Sequence, residues 1–141
     1  MPPSLRVLLV DDNPVDLDLA REAFSEYANH VSLTTRQSGA AALACLRDPH
    51  AERPDVVVLD VNMPLMSGFE VLRTIKSDPI LQNMPVVMLS TSTNPADVEL
   101  AYSLFASSYL VKETSFPSFL REVEDFVRYW RRCQVIRQAA D

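Results

Sequence analysis

The stretch from Asp55 to Gly68 (Asp-Val-Val-Val-Leu-Asp-Val-Asn-Met-Pro-Leu-Met-Ser-Gly) constrains the fold more than any other part of the chain. Four consecutive apolar residues, Val56 to Leu59, three of them β-branched, fit a strand buried on both faces, as at the centre of a parallel sheet. The run stops at Asp60, so a carboxylate stands where the strand leaves the core. In open α/β sheets ligands gather at the carboxyl ends of the strands. Pro64 and Gly68 then impose an irregular loop, since proline fixes φ and glycine tolerates φ > 0. Taken alone, Asp60 fits a chain-turning or helix-capping role equally well.

Leu5 to Val10 is a second apolar run, and it also ends in carboxylates, Asp11 and Asp12. Asn13-Pro14 gives a capping side chain followed by proline, a helix start. Leu17, Ala20, Phe24 and Tyr27 recur at three- and four-residue intervals as that helix's buried stripe. Val31 to Thr35 alternates like a strand near a sheet edge. Ser38-Gly39 opens an alanine-rich helix that closes at Asp48-Pro49. Phe69, Leu72 and Ile75 mark a third helix ending near Asp78-Pro79. Pro85 to Leu89 is another buried strand, followed by the hydroxyls of Ser90, Thr91 and Ser92. Asn94-Pro95 starts a helix with Val98, Tyr102 and Phe105 on one face. Ser108 to Val111 is a short strand ending at Lys112. The last helix begins near Ser115 or Phe116, carries the stripe Phe119, Val123, Phe126 and Trp130, and is expected to reach about Arg137.

Five strands alternating with five helices predict right-handed crossovers and a parallel, doubly wound α/β sheet. A chain of 141 residues is one domain on this reading. Its net charge of -6 argues against non-specific nucleic-acid binding. No apolar run approaches the roughly 20 residues that span a bilayer, and the N-terminus lacks signal-peptide character. Cys45 and Cys133 lack metal-site spacing and read as reduced thiols of a cytoplasmic protein.

Strand one thus ends in Asp11-Asp12, strand three in Asp60, strand four in Ser90 and strand five in Lys112. In a parallel sheet these side chains converge on one edge if the strands are neighbours. Clustered carboxylates repel one another, and a divalent cation relieves that repulsion; hard oxygen ligands favour Mg2+ over zinc. Lys112 supplies a compensating charge on a mobile stem, and Ser90 a hydroxyl able to donate to an oxyanion. A carboxylate nucleophile, a metal and a lysine are the parts needed for phosphoryl transfer to an aspartate. Each residue alone has a plain structural role open to it, as a cap, a polar turn or a solvated lysine.

The ordered set Val-Asp11-Asp12-Asn-Pro, Leu-Asp60-Val-Asn-Met-Pro64 with Gly68, Met-Leu-Ser90-Thr and Tyr109-Leu-Val-Lys112 resembles the receiver domains of bacterial two-component response regulators. The resemblance covers nearly the whole chain. It implies a (βα)5 flavodoxin-like receiver fold with strand order 2-1-3-4-5 and an extended C-terminal helix. It implies a core of residues 5–128 and a helical extension of 129–141 within a single receiver domain. By the same resemblance Asp60 accepts the phosphoryl group from a sensor histidine kinase. Asp12 and Asp60 coordinate Mg2+ directly, Asp11 does so through water, and Asn62 contributes its backbone carbonyl. Ser90 bonds the phosphoryl oxygen and Lys112 pairs with it. Ser90 and Tyr109 form the switch: Ser90 moves inward, Tyr109 fills the vacated space, and the face of helix four, strand five and helix five changes.

Two residues depart from that pattern. Glu113 follows Lys112 where most members have proline, usually after a cis peptide. Phe105 stands where glycine commonly ends helix four, so the end of that helix is expected to be longer or displaced. The last helix would span about 22 residues, or about 33 Å. Phe126, Tyr129 and Trp130, with Val135 and Ile136, present apolar surface of the kind that marks an interface. Phe-x-x-x-Trp in this helix also looks like the single-domain regulators that partner bacterial phytochrome kinases, many of them dimers. A homodimer through helix five and strand five is therefore expected, with no DNA-binding output segment in the sequence.

Three further readings compete. A Mg2+-dependent phosphohydrolase would want a second acid/base aspartate two residues after Asp60, where Asn62 stands. A phosphate carrier to a histidine phosphotransfer protein uses the same residues. A phosphorylation-independent dimerisation scaffold could dispense with the acidic site. The leading reading is a signalling phosphoacceptor, whose only catalysis is its own phosphotransfer and dephosphorylation.

Overall fold

The computed structural model describes residues 4–136. In chain order the elements are β1 (Leu5–Val10), α1 (Pro14–Ser25), β2 (Val31–Arg36), α2 (Gly39–Arg47), β3 (Val56–Asp60), α3 (Gly68–Ser77), β4 (Val86–Ser90), α4 (Pro95–Ser103), β5 (Ser108–Val111) and α5 (Phe116–Arg132). The strands form one sheet of order β2-β1-β3-β4-β5, every pair parallel.

The continuous apolar runs bury both faces by strict alternation. Val57, Leu59, Val86 and Met88 pack with Leu43, Leu72 and Ile75 of α2 and α3. Val56, Val58, Val87 and Leu89 pack with Leu17 and Phe24 of α1 and Val123 of α5. Each helix starts at a side-chain cap: the Asn13, Ser38, Ser67, Asn94 and Ser115 oxygens accept backbone N–H groups of the first turn.

The Gly68 turn and the ends of three helices differ from the sequence expectation. Gly68 has no positive φ; its need is space. A Cβ there would sit 2.3 Å from the Asp60 carbonyl oxygen and 2.9 Å from Val61 Cα, because the start of α3 returns against the end of β3. The left-handed residue of that loop is Leu65, with φ of 68° and a fully exposed side chain. Phe105 neither lengthens nor displaces α4. It takes φ of 69° and closes a Schellman cap, with Phe105 N–H bonding Tyr102 O and Ala106 N–H bonding Ala101 O, each at 3.0 Å. The face of Val98, Tyr102 and Phe105 is largely exposed, and Ala101 is the buried residue of α4.

Helix α1 likewise ends at Ser25, before Tyr27, which packs half-buried against the α1–α5 side from the following turn. The last helix stops at Arg132, five residues short of Arg137. Cys133 is extended (φ -75°, ψ 143°), so the helix has 17 residues and a length of about 25 Å. Residues 137–141 of the expected extension lie outside the described residues. Among the described residues no helix is long and apolar enough to cross a membrane.

Candidate functional site

The four strand ends meet as the sequence implies. β1 and β3 are neighbours, so Asp11 and Asp12, just past β1, face Asp60, the last residue of β3. One carboxylate oxygen from each of Asp11, Asp12 and Asp60 lies within 4.8 Å of the others. β4 brings Ser90 alongside, and Lys112 N–H bonds Ser90 O at 2.7 Å, which holds the end of β5 to β4. Lys112 Nζ then reaches 3.0 Å from Asp11 Oδ2 and 3.5 Å from Asp60 Oδ1. This edge lies where the chain connections diverge to either side of β1 and β3, the place at which doubly wound sheets bind ligands.

Burial sets the electrostatics. Asp11 is 3% exposed, Asp60 4% and Ser90 0%. Removal from water, and then the Asp11 charge, push the Asp60 carboxyl from 3.8 up to about 6; Lys112 and the Asn62 N–H, 3.4 Å from Asp60 Oδ1, pull the other way. For Lys112 burial favours the neutral amine. Its bond to Asp11 and the charges of Asp11, Asp60 and Asp16 outweigh that, so its pKa is raised and it stays an ammonium. Three carboxylates against one ammonium leave negative charge in a poorly hydrated pocket. Small, hard oxygen donors at this spacing, with Asn62 two residues past Asp60, fit a divalent cation.

Ser90 Oγ accepts the Ser92 N–H at 3.0 Å, which leaves its own O–H to donate. Tyr109 is half-buried against the core on the α2–α4 side, and its hydroxyl donates to Ser92 O at 2.9 Å. Ser92 Oγ in turn donates to Asp97 Oδ2 at 2.7 Å and accepts the Asn94 N–H at 3.1 Å. Ser90 and Tyr109 are therefore joined through one short loop. The peptide between Lys112 and Glu113 is trans.

Asp16 went unnoticed in the sequence, yet its Oδ2 lies 3.3 Å from Lys112 Nζ. Asp16 lies in the first turn of α1, just past the acidic end of β1, where the sequence does not set it apart from an ordinary first-turn acid. Of the three expected interface residues, Phe126 packs edge-on against Phe24 at 6.1 Å, and Trp130 lies against Phe126 at 6.2 Å. Only Tyr129 is well exposed, at 64%.

A parallel five-stranded sheet with a carboxylate–ammonium cluster at its carboxyl edge defines a receiver-type α/β protein. The chain belongs to the response regulator receiver domain family, whose profile matches residues 7–124. Response regulator Rcp1 of Synechocystis sp. is 34% identical over 133 residues, covering 92% of this chain and 90% of the relative. The phosphorylated cyanobacterial phytochrome response regulator RcpA superposes with a TM-score of 0.88 at 34% identity, covering 94% of this chain and 99% of the other. The Mn(2+)-bound form of Rcp1 gives a TM-score of 0.84 at 33% identity, covering 97% and 100%. The function is that of a signalling receiver.

Proposed function

We propose that this receiver accepts a phosphoryl group on Asp60 from a histidine kinase in a Mg2+-dependent phosphorelay and signals through changed protein contacts. The observation that carries this reading is Asp60 itself: a buried carboxylate shared between two aspartates and a lysine at the sheet's carboxyl edge.

In the step, an Asp60 oxygen attacks phosphorus and an O–P bond forms. The P–N bond to the kinase imidazole breaks, and the imidazole nitrogen keeps the electron pair and takes up a proton. Asp11, Asp12 and Asp60, with the Asn62 carbonyl, would hold Mg2+, whose chemistry is to neutralise charge and orient oxygens. Asp11 would act through water. Lys112 pairs with a phosphoryl oxygen, and Ser90 O–H donates to another. Once Ser90 is drawn to that oxygen, its bond to Ser92 N–H weakens, and with it the loop that Tyr109 anchors through Ser92 O. The output face is α4, β5 and α5, where Tyr102, Phe105, Val111 and Tyr129 expose apolar surface. That surface supports a homodimer with Phe126, Tyr129 and Trp130 at or behind the contact.

The relatives named as phytochrome response regulators support a bacterial phytochrome as the kinase. Cytoplasmic location follows from that partnership, and catalysis stays limited to the protein's own phosphotransfer and dephosphorylation. Intact mass after incubation with Mg2+ and acetyl phosphate tests the reading. The wild type should gain one phosphoryl mass, lost when EDTA precedes the donor and absent in Asp60→Asn. A wild type that neither gains that mass nor binds Mg2+ would refute it.

A further inference from the structure

Lys112 is surrounded by three carboxylates: Asp11 Oδ2 at 3.0 Å, Asp16 Oδ2 at 3.3 Å and Asp60 Oδ1 at 3.5 Å. Two of them belong to the trio of oxygens close enough to share a cation; Asp16 does not. Asp16 is held in place by its helix. Pro14 and the Asn13 cap fix the first turn of α1, and Asn13 Oδ1 accepts the N–H groups of Val15 and Asp16. Asp11 and Asp60 would share their charge with a bound cation, whereas Asp16 stands outside that trio and would keep its charge for the ammonium.

We infer that Asp16 is a positioning residue that restrains the Lys112 ammonium and so sets how readily Lys112 passes to an oxyanion arriving at Asp60. The inference rests on Asp60 being the phosphoacceptor. An ammonium has three N–H donors, and their directions are fixed relative to one another. One donor is spent on Asp16 of α1 while Nζ stands 3.5 Å from Asp60 Oδ1. Transfer to the oxyanion therefore means giving up, or stretching, the bond to Asp16. The Asp16 side chain is 40% exposed, so water screens the pair and the restraint is modest. A weak restraint of this kind suits a group that has to move: Lys112 is kept charged and near the site without being locked to it.

The test is equilibrium binding of beryllofluoride, a stable phosphoryl mimic, at saturating Mg2+, followed by calorimetry or fluorine NMR on the whole chain. Four proteins are compared: wild type, Asp16→Asn, Lys112→Met and the double variant, with thermal melts to establish that each is folded. Asp16→Asn should bind about 3- to 5-fold more tightly than wild type, the upper size of a partly exposed ion pair. In the Lys112→Met background the same substitution should change affinity less than about 2-fold, because the residue it acts through is gone. A gain of equal size in both backgrounds would show that Asp16 acts by its charge through space, and would overturn the positioning role. Unchanged or weaker binding by Asp16→Asn would overturn it too. A folded, Mg2+-loaded wild type that binds no beryllofluoride would overturn the phosphoacceptor reading and this inference with it.

Discussion

At the scale of single residues the site depends on where protons and backbone atoms are placed. The folded-state pKa of Asp60, about 6, lies above its ordinary 3.8, chiefly through burial and then the Asp11 charge. In the metal-free protein the folded state therefore holds a proton that the unfolded chain releases. The resulting stabilisation is complete below about pH 4 and is lost as pH rises through about 6. Mg2+ reverses the trend, since it needs the carboxylate ionised. Mg2+ affinity measured by calorimetry should thus fall steeply as pH drops below about 6, and in metal-free melts stability should decline between about pH 4 and 6. Gly68 gives a second prediction. A methyl group there meets the backbone of Asp60 and Val61, whereas one at Gly39 meets side chains, Val71 Cγ2 at 2.7 Å and Met66 Sδ at 2.9 Å, of which the methionine is free to shift. In urea unfolding Gly68→Ala should cost about 2–3 kcal/mol, and Gly39→Ala about 1 kcal/mol. Asp11, Asp12, Asp60, Ser90 and Lys112 were legible because each directly ends or follows an apolar run. Asp16 was not, because nothing in a helix's first turn distinguishes a counter-ion from a helix-dipole partner.

At the scale of elements, starts were easier to read than ends. Asn13, Ser38, Asn94 and Ser115 cap helices with their own side chains, so the sequence carries the signal at the position where the event occurs. Ends depend on backbone conformations that many residues adopt. The apolar pattern of α5 runs on through Val135 and Ile136 with no glycine or proline to stop it, yet the helix ends at Arg132. Phe105 holds a left-handed conformation that costs a non-glycine residue roughly 1–2 kcal/mol, while its ring is 73% exposed and gains little from packing. Phe105→Gly should therefore raise stability by about 0.5–1 kcal/mol in chemical unfolding, the relieved strain being partly offset by the freer unfolded chain. A loss of stability would mean that the ring makes contacts worth more than that strain.

At the scale of the molecule, the sheet order could not be taken from periodicity, which gives the number and direction of strands but not their neighbours. It came from the family resemblance, and the pairing of β1 with β3 bears it out. The expected dimer rests on exposed Tyr102, Phe105, Val111 and Tyr129 of α4, β5 and α5, since Phe126 and Trp130 are largely committed to α1 and to each other. Sedimentation equilibrium at tens of micromolar should show a dimer, and Tyr129→Glu should shift it towards monomer by placing a charge in the contact; a monomeric wild type would rule the dimer out. The function turns on which atom takes the phosphoryl group. An aspartyl phosphate is an acyl phosphate, which borohydride reduces to the alcohol, turning aspartate into homoserine. Protein phosphorylated with acetyl phosphate and Mg2+, then reduced and digested, should yield a peptide with homoserine in place of Asp60. Homoserine at Asp11 or Asp12, or none in a protein that has gained the phosphoryl mass, would rule out Asp60 as the phosphoacceptor.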